Sequence, residues 1–276
     1  MQRTACVTSR PLWNAGRRGA RLRGLVPAAV ILGTIAATPS PAVQIESYQV
    51  VVPVVVHTDG YAGTKWRSDV WIMNPFSPSV EVTLAYYPSA GGEQSATVEV
   101  GPYGGAFLPD IVLETFGLED SKGMLIVATE STRLEVRARV YNSGHPMGEF
   151  GQAVPGLPLD RLARQGLLSG VSTAAGNRLS LGVANPTETR FTVHVTVLDG
   201  ITGEVLYGRT VEVGAHQLVQ LDKLAERWEL PQRDALTLDV DSTYPTETFY
   251  AYASVVRDDT GDATFIFGTS PNTGPR

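Results

Sequence analysis

The stretch Val80-Glu-Val-Thr-Leu-Ala-Tyr-Tyr87 alternates between apolar and polar side chains. A period of two is typical of a β-strand with one face in a core and the other in water. The pattern returns in Phe191-Thr-Val-His-Val-Thr-Val-Leu198, and each stretch follows an Asn-Pro pair, Asn74-Pro75 or Asn185-Pro186, 111 residues apart. A repeat of this length has the size of a domain and predicts two similar β domains in tandem.

Further short apolar runs, separated by Gly, Pro, Ser and Asp, extend this pattern through both copies. In the first copy we predict strands near residues 48–57, 66–73, 80–87, 95–100, 105–109, 123–129, 133–142 and 149–153. In the second copy we predict strands near residues 167–172, 178–184, 190–198, 204–213, 216–221, 235–240, 247–256 and 263–267. Strands at this spacing indicate an antiparallel sandwich or barrel. The expected fold class is all-β, with two tandem antiparallel β-sandwich domains, each with one short helix.

One short helix is predicted at the same place in each copy. The first covers Asp110 to Phe116 and is closed by Gly117, and the second covers Asp222 to Trp228. Each begins with an aspartate followed by apolar residues three or four apart, so we expect the aspartate to be the N-cap. A glycine after the last apolar residue is typical of a helix end.

Residues 1–42 have the composition of a secretory signal peptide. They contain six arginines and no acidic residue, then an apolar stretch from Leu25 to Ala37, then small residues and prolines. The apolar stretch is short for a membrane span, which needs about 20 residues. An uncleaved N-terminal anchor is the alternative. We therefore predict a signal peptide over 1–42, one sandwich over 43–157 and another over 158–276, with the boundary near Pro158.

Charge and cysteine content narrow the classes of partner. Without the six N-terminal arginines the net charge changes from −6 to −12. An acidic surface repels phosphate backbones, so nucleic acid is not an expected partner. The single cysteine, Cys6, lies in the predicted signal peptide, so the mature chain has neither a disulfide nor a thiolate. We expect an exported protein that is periplasmic, on the cell surface or secreted, without a membrane span beyond the signal segment.

Several motifs resemble a repeat of exported bacterial proteins. They are the string Val51-Val-Pro-Val-Val-Val-His57, the Trp66-Arg67-Ser68-Asp69 motif leading to Asn74-Pro75, the Phe150-Gly151-Gln152 segment and Tyr252-Ala-Ser-Val-Val256. The resemblance covers nearly all of 48–268. It implies an immunoglobulin-like sandwich and export, and it brings no assigned activity and no catalytic residues. The second copy departs from the pattern, because Asn177-Arg178-Leu179-Ser180 replaces the tryptophan motif and the loop before it is shorter.

The candidate binding residues are His57, Tyr61, Trp66, Arg67 and Asp69. On a strand, Trp66 shares one face with Ser68, while Arg67 and Asp69 lie on the other. One interpretation is structural: Arg67 or Asp69 holds the loop 60–64 and Trp66 covers the edge of the core. The other is a ligand platform in which Trp66, Tyr61 and His57 stack on a carbohydrate.

The sequence contains no motif for a metal, a cofactor or a nucleophile. None of the four histidines has a metal-ligand spacing, and we predict no cofactor and no catalytic residue. The carboxylates of Asp258, Asp259 and Asp262 form a weak calcium candidate, and the alternative is a plain hairpin turn. A hydrolase with an unrecognised pair of carboxylates also stays open, because two acids distant in sequence can meet in space.

We predict a non-catalytic exported module that binds or supports a partner at the cell envelope. The expected partner is an envelope protein or a polysaccharide, recognised through loops or a sheet edge. A carbohydrate-binding protein that uses Trp66 is the first alternative, and a hydrolase is the second. The oligomeric state does not follow from these patterns.

Overall fold

The computed structural model describes residues 48–130, 132–244 and 246–270, without the side chain of Ala62. The predicted signal peptide lies outside these ranges. Every described residue belongs to one compact unit of the chain, Val43–Arg276. Within the described residues, no helix has the length and apolar character needed to cross a bilayer.

The first half of the described chain forms nine strands and one short helix. The strands are β1 (Gln49–Asp59), β2 (Lys65–Met73), β3 (Val80–Pro88), β4 (Gln94–Val100), β5 (Gly105–Leu108), β6 (Ser121–Ala128), β7 (Glu135–Asn142), β8 (Phe150–Pro155) and the two-residue β9 (Leu157–Pro158). The helix α1 (Ile111–Glu114) follows β5, and a 3₁₀ turn (Tyr61–Gly63) joins β1 to β2. We call this half the first sandwich.

The second half repeats the order. Its strands are β10 (Gln165–Val171), β11 (Asn177–Asn185), β12 (Phe191–Asp199), β13 (Val205–Val213), β14 (Gln217–Leu221), β15 (Leu236–Ser242), β16 (Tyr250–Arg257) and β17 (Ala263–Phe267), with helix α2 (Leu224–Arg227) after β14. We call this half the second sandwich. Every predicted strand is present within about three residues, which confirms the all-β antiparallel sandwich class.

Each sandwich has two antiparallel layers with the same strand order. In the second sandwich the layers are β10-β15-β12-β13 and β14-β11-β16-β17. In the first they are β4-β3-β6-β1 and β5-β2-β7-β8, and β1 belongs to both. Its residues through His57 pair with β6, and then Thr58 and Asp59 pair with Trp66 and Lys65 of β2.

The core of the first sandwich receives side chains from the second. Ala184, Leu218, Tyr250 and Tyr252 are buried in the first core although they belong to the sheet β14-β11-β16-β17. The segment between the sandwiches packs on the first core as well, through Leu157, Leu159 and Leu162. The two sandwiches therefore share a continuous apolar contact.

The repeated Asn-Pro pairs are structural turns, as their recurrence predicts. Asn74 and Asn185 are fully buried. The amide nitrogen of Asn74 donates to the carbonyl oxygens of Pro78 and Gly101, at 2.7 and 3.1 Å. That of Asn185 donates to the carbonyls of Thr189 and Gly214, at 2.8 and 2.7 Å. In each sandwich one buried amide joins two loops.

The predicted N-cap position is confirmed for Asp110 but not for Asp222, and neither helix has a side-chain capping bond. The residue before α1 is Asp110, but its φ of 39° is left-handed and its side chain makes no capping bond. The residue before α2 is Lys223, with a φ of 52°, and Asp222 lies one position earlier. Gly117 ends the α1 segment as expected, with a φ of 69° and its N–H donating to the carbonyl of Leu113 at 2.8 Å.

Candidate functional site

The outer face of β11 carries small side chains where it meets the first sandwich. Ser180, Gly182 and Ala184 alternate with the core residues of this strand. A β-carbon on Gly182 would overlap the ring of Tyr252 on the neighbouring strand β16. The tyrosine therefore lies flat over the glycine, and its hydroxyl donates to Oε1 of Gln220 at 2.7 Å. This packing leaves space further along the same face.

That space is a cavity of about 590 Å³ between the two sandwiches. Its volume lies in the range of small-molecule sites, roughly 300–1,000 Å³. Both sandwiches contribute to the wall, and the residues that matter below are Tyr61, Trp66, Ser89, Lys122, Arg178, Asp222 and Lys223. Concave sites between packed units are a preferred location for ligands.

Two aromatic side chains from the β1–β2 connection line the cavity. Tyr61 is 60% exposed, and Trp66 is half-buried against the first core. The intervening loop is closed by the N–H of Gly60, which donates to the carbonyl of Thr64 at 2.7 Å. Gly60 leaves room for the indole, because a β-carbon there would come within 2.7 Å of Trp66 Nε1. The loop thus holds both rings at the cavity wall.

Cations from the second sandwich flank the Tyr61 ring. The ammonium nitrogen of Lys223 lies 4.2 Å from the ring centroid, and the guanidinium carbon of Arg178 lies 5.3 Å from it. Both distances suit a cation–π interaction. Arg178 also donates from Nε to Oδ1 of Asp258 at 2.6 Å. The aromatic loop of the first sandwich is therefore bound to the rim of the second.

The polar side of the wall centres on Asp222. Lys122 Nζ donates to its Oδ2 at 2.9 Å, while Ser180 Oγ and Gln220 Nε2 donate to its Oδ1 at 3.2 and 2.5 Å. Burial raises the pKa of Asp222, but the hydrogen bonds from Gln220, Lys122 and Ser180, together with the charge of Lys122, outweigh burial and lower this pKa below its ordinary value. The carboxylate is therefore ionised at neutral pH.

One wall hydroxyl has no protein partner. The Oγ atom of Ser89 is buried and, among the described residues, finds no hydrogen-bond partner. Buried polar atoms are nearly always paired in folded proteins. The charges of the wall balance, because Lys122, Arg178 and Lys223 stand with Asp59, Asp120 and Asp222. The wall thus combines apolar rings with hydrogen-bonding groups and no net charge.

The other three candidate residues lie outside the cavity wall. His57 Nδ1 is 2.8 Å from Oδ2 of Asp110, which places it at the start of α1 and not among the residues that line the cavity. Asp69 Oδ1 accepts from the N–H of Asp110 at 3.0 Å and from the hydroxyl of Tyr141 at 3.3 Å. Burial and the negative charge of Asp69 raise the pKa of Tyr141 to about 12.

Arg67 contacts the end of β1 rather than the loop 60–64 that the structural interpretation named. Its Nη1 donates to the carbonyl of Thr58 at 3.2 Å, and its Nη2 lies 3.5 Å from Oδ1 of Asp59. These contacts hold the end of β1 beside the start of β2. The predicted platform is therefore divided: Tyr61 and Trp66 line the cavity, whereas His57, Arg67 and Asp69 connect β1, β2 and α1.

The Asp258–Asp262 segment is the hairpin turn between β16 and β17. Gly261 has a φ of 70°, and its N–H donates to the carbonyl of Arg257 at 2.8 Å. Asp258 binds Arg178 and Asp259 binds Arg257, so these two carboxylates are turned toward arginines. Across residues 48–130, 132–244 and 246–270, no group of three or more acidic, histidine or cysteine side chains is arranged to hold a metal.

The sequence did not indicate Ser89, Lys122 or Gln220 as site residues, and it assigned Asp222 to a helix cap. These residues belong to separate turns and strands and meet only when the sandwiches pack. One signal was available: the alternate residues Ser180, Gly182 and Ala184 are smaller than their counterparts Asp69, Trp71 and Met73. Small side chains on one face indicate close approach by another element.

Comparisons with known proteins add little to this description. No protein-family model matches the chain, and no curated protein matches it. Among solved structures, a calcium-binding mutant of Bacteroides uniformis beta-glucuronidase 2 aligns with 83% of this chain and 28% of that chain, at 11% identity and a TM-score of 0.15. The chain thus spans little more than a quarter of that structure, and a likeness this weak carries no argument about function. The family resemblance of the sequence stays a prediction.

Proposed function

We propose that this protein is an exported, non-catalytic binding module that takes a glycan segment into the cavity between its two sandwiches. The observation that carries the proposal is the placement of the Tyr61 and Trp66 rings in one wall of that cavity. Rings of this kind offer apolar area together with a polar group, and they lose little conformational entropy on binding. Sugar rings, which have apolar faces and polar edges, suit such a wall.

The polar side of the wall supports a polar and uncharged ligand. Lys122, Arg178 and Asp222 supply donors and acceptors, and their charges are already compensated by protein partners. A ligand with a net charge would find no free partner in this wall, because the wall charges are already paired. Burying that ligand would cost desolvation free energy. The unpartnered hydroxyl of Ser89 offers a further hydrogen bond. Hydroxyl groups of a neutral saccharide satisfy all of these atoms without adding charge.

The protonation state of Asp222 argues against this carboxyl as the acid of a glycoside hydrolysis. A hydrolytic pair needs one carboxylic acid whose pKa is raised so that it can protonate the leaving group. The pKa of Asp222 is lowered instead, so this group stays ionised. The paired His57 and Asp110 do not line the cavity. These features support a site that holds its ligand without cleaving it.

The proposal of export rests on the composition of residues 1–42 and on the resemblance to an exported repeat. An envelope location supplies the ligand class, because polysaccharides are abundant there. An envelope protein that carries glycans is an equally suitable source of the same sugar chemistry. Both sources present exposed hydroxyl-rich rings to the cavity.

Titration of the compact unit Val43–Arg276 with oligosaccharides released from envelope polysaccharide tests the proposal. We expect saturable binding that is lost in Tyr61→Ala, because Tyr61 is largely exposed and its removal leaves the core intact. Tyr48→Ala is the matched control, since Tyr48 is an exposed tyrosine outside the cavity. Release of a new reducing end would show hydrolysis and contradict the proposal, as would equal loss of binding in both variants.

A further inference from the structure

Equivalent sheet faces of the two sandwiches differ in whether another part of the chain covers them. In the second sandwich, Gly182 pairs with Gln220 of β14 and with Tyr252 of β16. In the first, Trp71 holds the same register position, between Phe107 of β5 and Arg137 of β7. The face that contains Gly182 is covered by the first sandwich. Nothing among the described residues covers the face that contains Trp71.

That uncovered face is unusually apolar for a solvated sheet. Trp71, Met73 and Phe107 are 42, 45 and 53% exposed, and the rings of Trp71 and Phe107 stack with centroids 5.0 Å apart. Contiguous exposed aromatic residues on a soluble protein mark an interaction site. We call the outer surface of β5-β2-β7, with Trp71 at its centre, the Trp71 face.

The contact between the two sandwiches shows which kind of surface packs on a sheet face in this position. The covered sheet of the second sandwich packs on strands of the layer β4-β3-β6-β1, where Tyr87 of β3 stacks on His216 at 4.5 Å and Lys122 of β6 binds Asp222. The equivalent layer of the second sandwich is β13-β12-β15-β10. Its outer surface carries His194 and Thr196 of β12 beside Asp239 and Asp241 of β15. We call it the Asp239 face.

The Asp239 face is acidic at its centre, whereas the Trp71 face carries arginines beside glutamates. The central strand of the Asp239 face presents Asp239 and Asp241, and the central strands of the Trp71 face present Arg137 and Arg139. Arg137 and Arg139 pair with Glu135 and Glu149 on their own face, but these are exposed ion pairs that contribute little and rearrange easily. Two carboxylates opposite two guanidinium groups favour one orientation of docking.

We propose that the Trp71 face of one copy of this chain docks on the Asp239 face of a second copy. The contact is heterologous, because the two copies contribute different surfaces. Each added copy leaves one free face of each kind, so the assembly extends as an open filament or closes as a ring. The partner is this chain itself.

Sedimentation velocity of the compact unit Val43–Arg276 over a concentration series tests this contact. We expect species larger than a dimer at high concentration. Trp71→Asp weakens the association about tenfold or more, as expected when a central aromatic residue of an interface is lost. Ile201→Ser, a change at the exposed β12–β13 turn, leaves it unchanged. Phe107→Ser repeats the test if the first variant does not fold.

Mixing two blocked variants distinguishes this contact from a symmetric one. Trp71→Asp disables one face and Asp239→Arg disables the other, so neither variant forms chains alone. A mixture still contains one intact face of each kind and therefore forms complexes of two copies and no larger. A single species of monomer mass at every wild-type concentration overturns the proposal. So does an association that Trp71→Asp leaves unchanged, or a mixture that forms no complexes.

Discussion

The ammonium group of Lys122 lies 2.9 Å from the carboxylate of Asp222, and the two residues are 100 positions apart in the sequence. This pair joins β6 of the first sandwich to the loop after β14 of the second. It also forms part of the cavity wall, so it connects the stability of the chain with the shape of the candidate site.

The lowered pKa of Asp222 predicts a specific dependence of stability on pH. In an unfolded chain an aspartate has a pKa of about 3.9, and the pKa of Asp222 in the folded chain lies below its ordinary value. The contribution of the ionised form is therefore complete above the unfolded pKa and is lost as the pH falls through the folded pKa. We expect Asp222→Asn to lower the melting temperature at neutral pH, with the difference disappearing in acid.

Melting temperatures of both proteins between neutral and strongly acidic pH measure this effect. Asp160→Asn is the control, because Asp160 is exposed in the segment between the sandwiches. A constant difference between wild type and Asp222→Asn at all pH values would contradict the assignment of the lowered pKa to this carboxylate.

Gly60→Ala is expected to remove ligand binding by displacing an aromatic ring. The added β-carbon would come within 2.8 Å of Cδ1 and 2.7 Å of Nε1 of Trp66, which is too close for either atom. The indole must leave its position in the cavity wall. Titration with the same oligosaccharides measures the loss, and Gly101→Ala is the control because its β-carbon would meet open space. Unchanged affinity in Gly60→Ala would show that the position of the indole does not matter.

Replacement of either buried asparagine by alanine is expected to destabilise the chain. Asn74→Ala removes the amide that donates to the carbonyls of Pro78 and Gly101, and Asn185→Ala removes the one that donates to Thr189 and Gly214. We expect each change to cost about 1–3 kcal/mol, the usual penalty for an unsatisfied buried group. Urea denaturation measures it, with the exposed Gln94→Ala as a neutral reference. A cost in only one sandwich would mean that the two turns are not equivalent.

Gly182→Ala is expected to disturb the contact between the sandwiches. Its β-carbon would overlap the ring of Tyr252, a residue buried in the first core. Overpacking of this kind costs about 1–3 kcal/mol. Denaturation curves measure the change, and Gly208→Ala is the control because its nearest neighbour, on His194, would lie at 3.4 Å. If both substitutions have the same small effect, the tyrosine moves freely and the contact is looser than its geometry indicates.

The strands could be predicted from the sequence because the signals that define them are local. Alternation in Val80–Tyr87 and a breaker such as Gly101 act within a few residues. The buried asparagines were predictable for another reason, because a feature present in both sandwiches is most simply part of the fold. Tyr61 and Trp66 could be assigned to the same site because both lie at the short connection between β1 and β2.

The contacts of the two aspartates and the cavity could not be predicted in this way. Asp110 has the local pattern of an N-cap, yet its carboxylate binds His57, which is 53 positions away. Asp222 is likewise held by Lys122. In both cases a distant partner outcompetes the local backbone for the side chain. The cavity exists only because two sheets pack together, so no window of the sequence contains it.

Strand β1 belongs to both layers of the first sandwich, so a pulling force on the chain would act on this strand first. Tension applied ahead of Tyr48 would enter β1 at its first residue and act along the strand. The bonds to β6 lie across that direction, so they would have to break together rather than one after another. The two-residue pairing with β9 adds to the same strand. A chain held by its amino-terminal end would therefore resist extension at the strand that also organises its core.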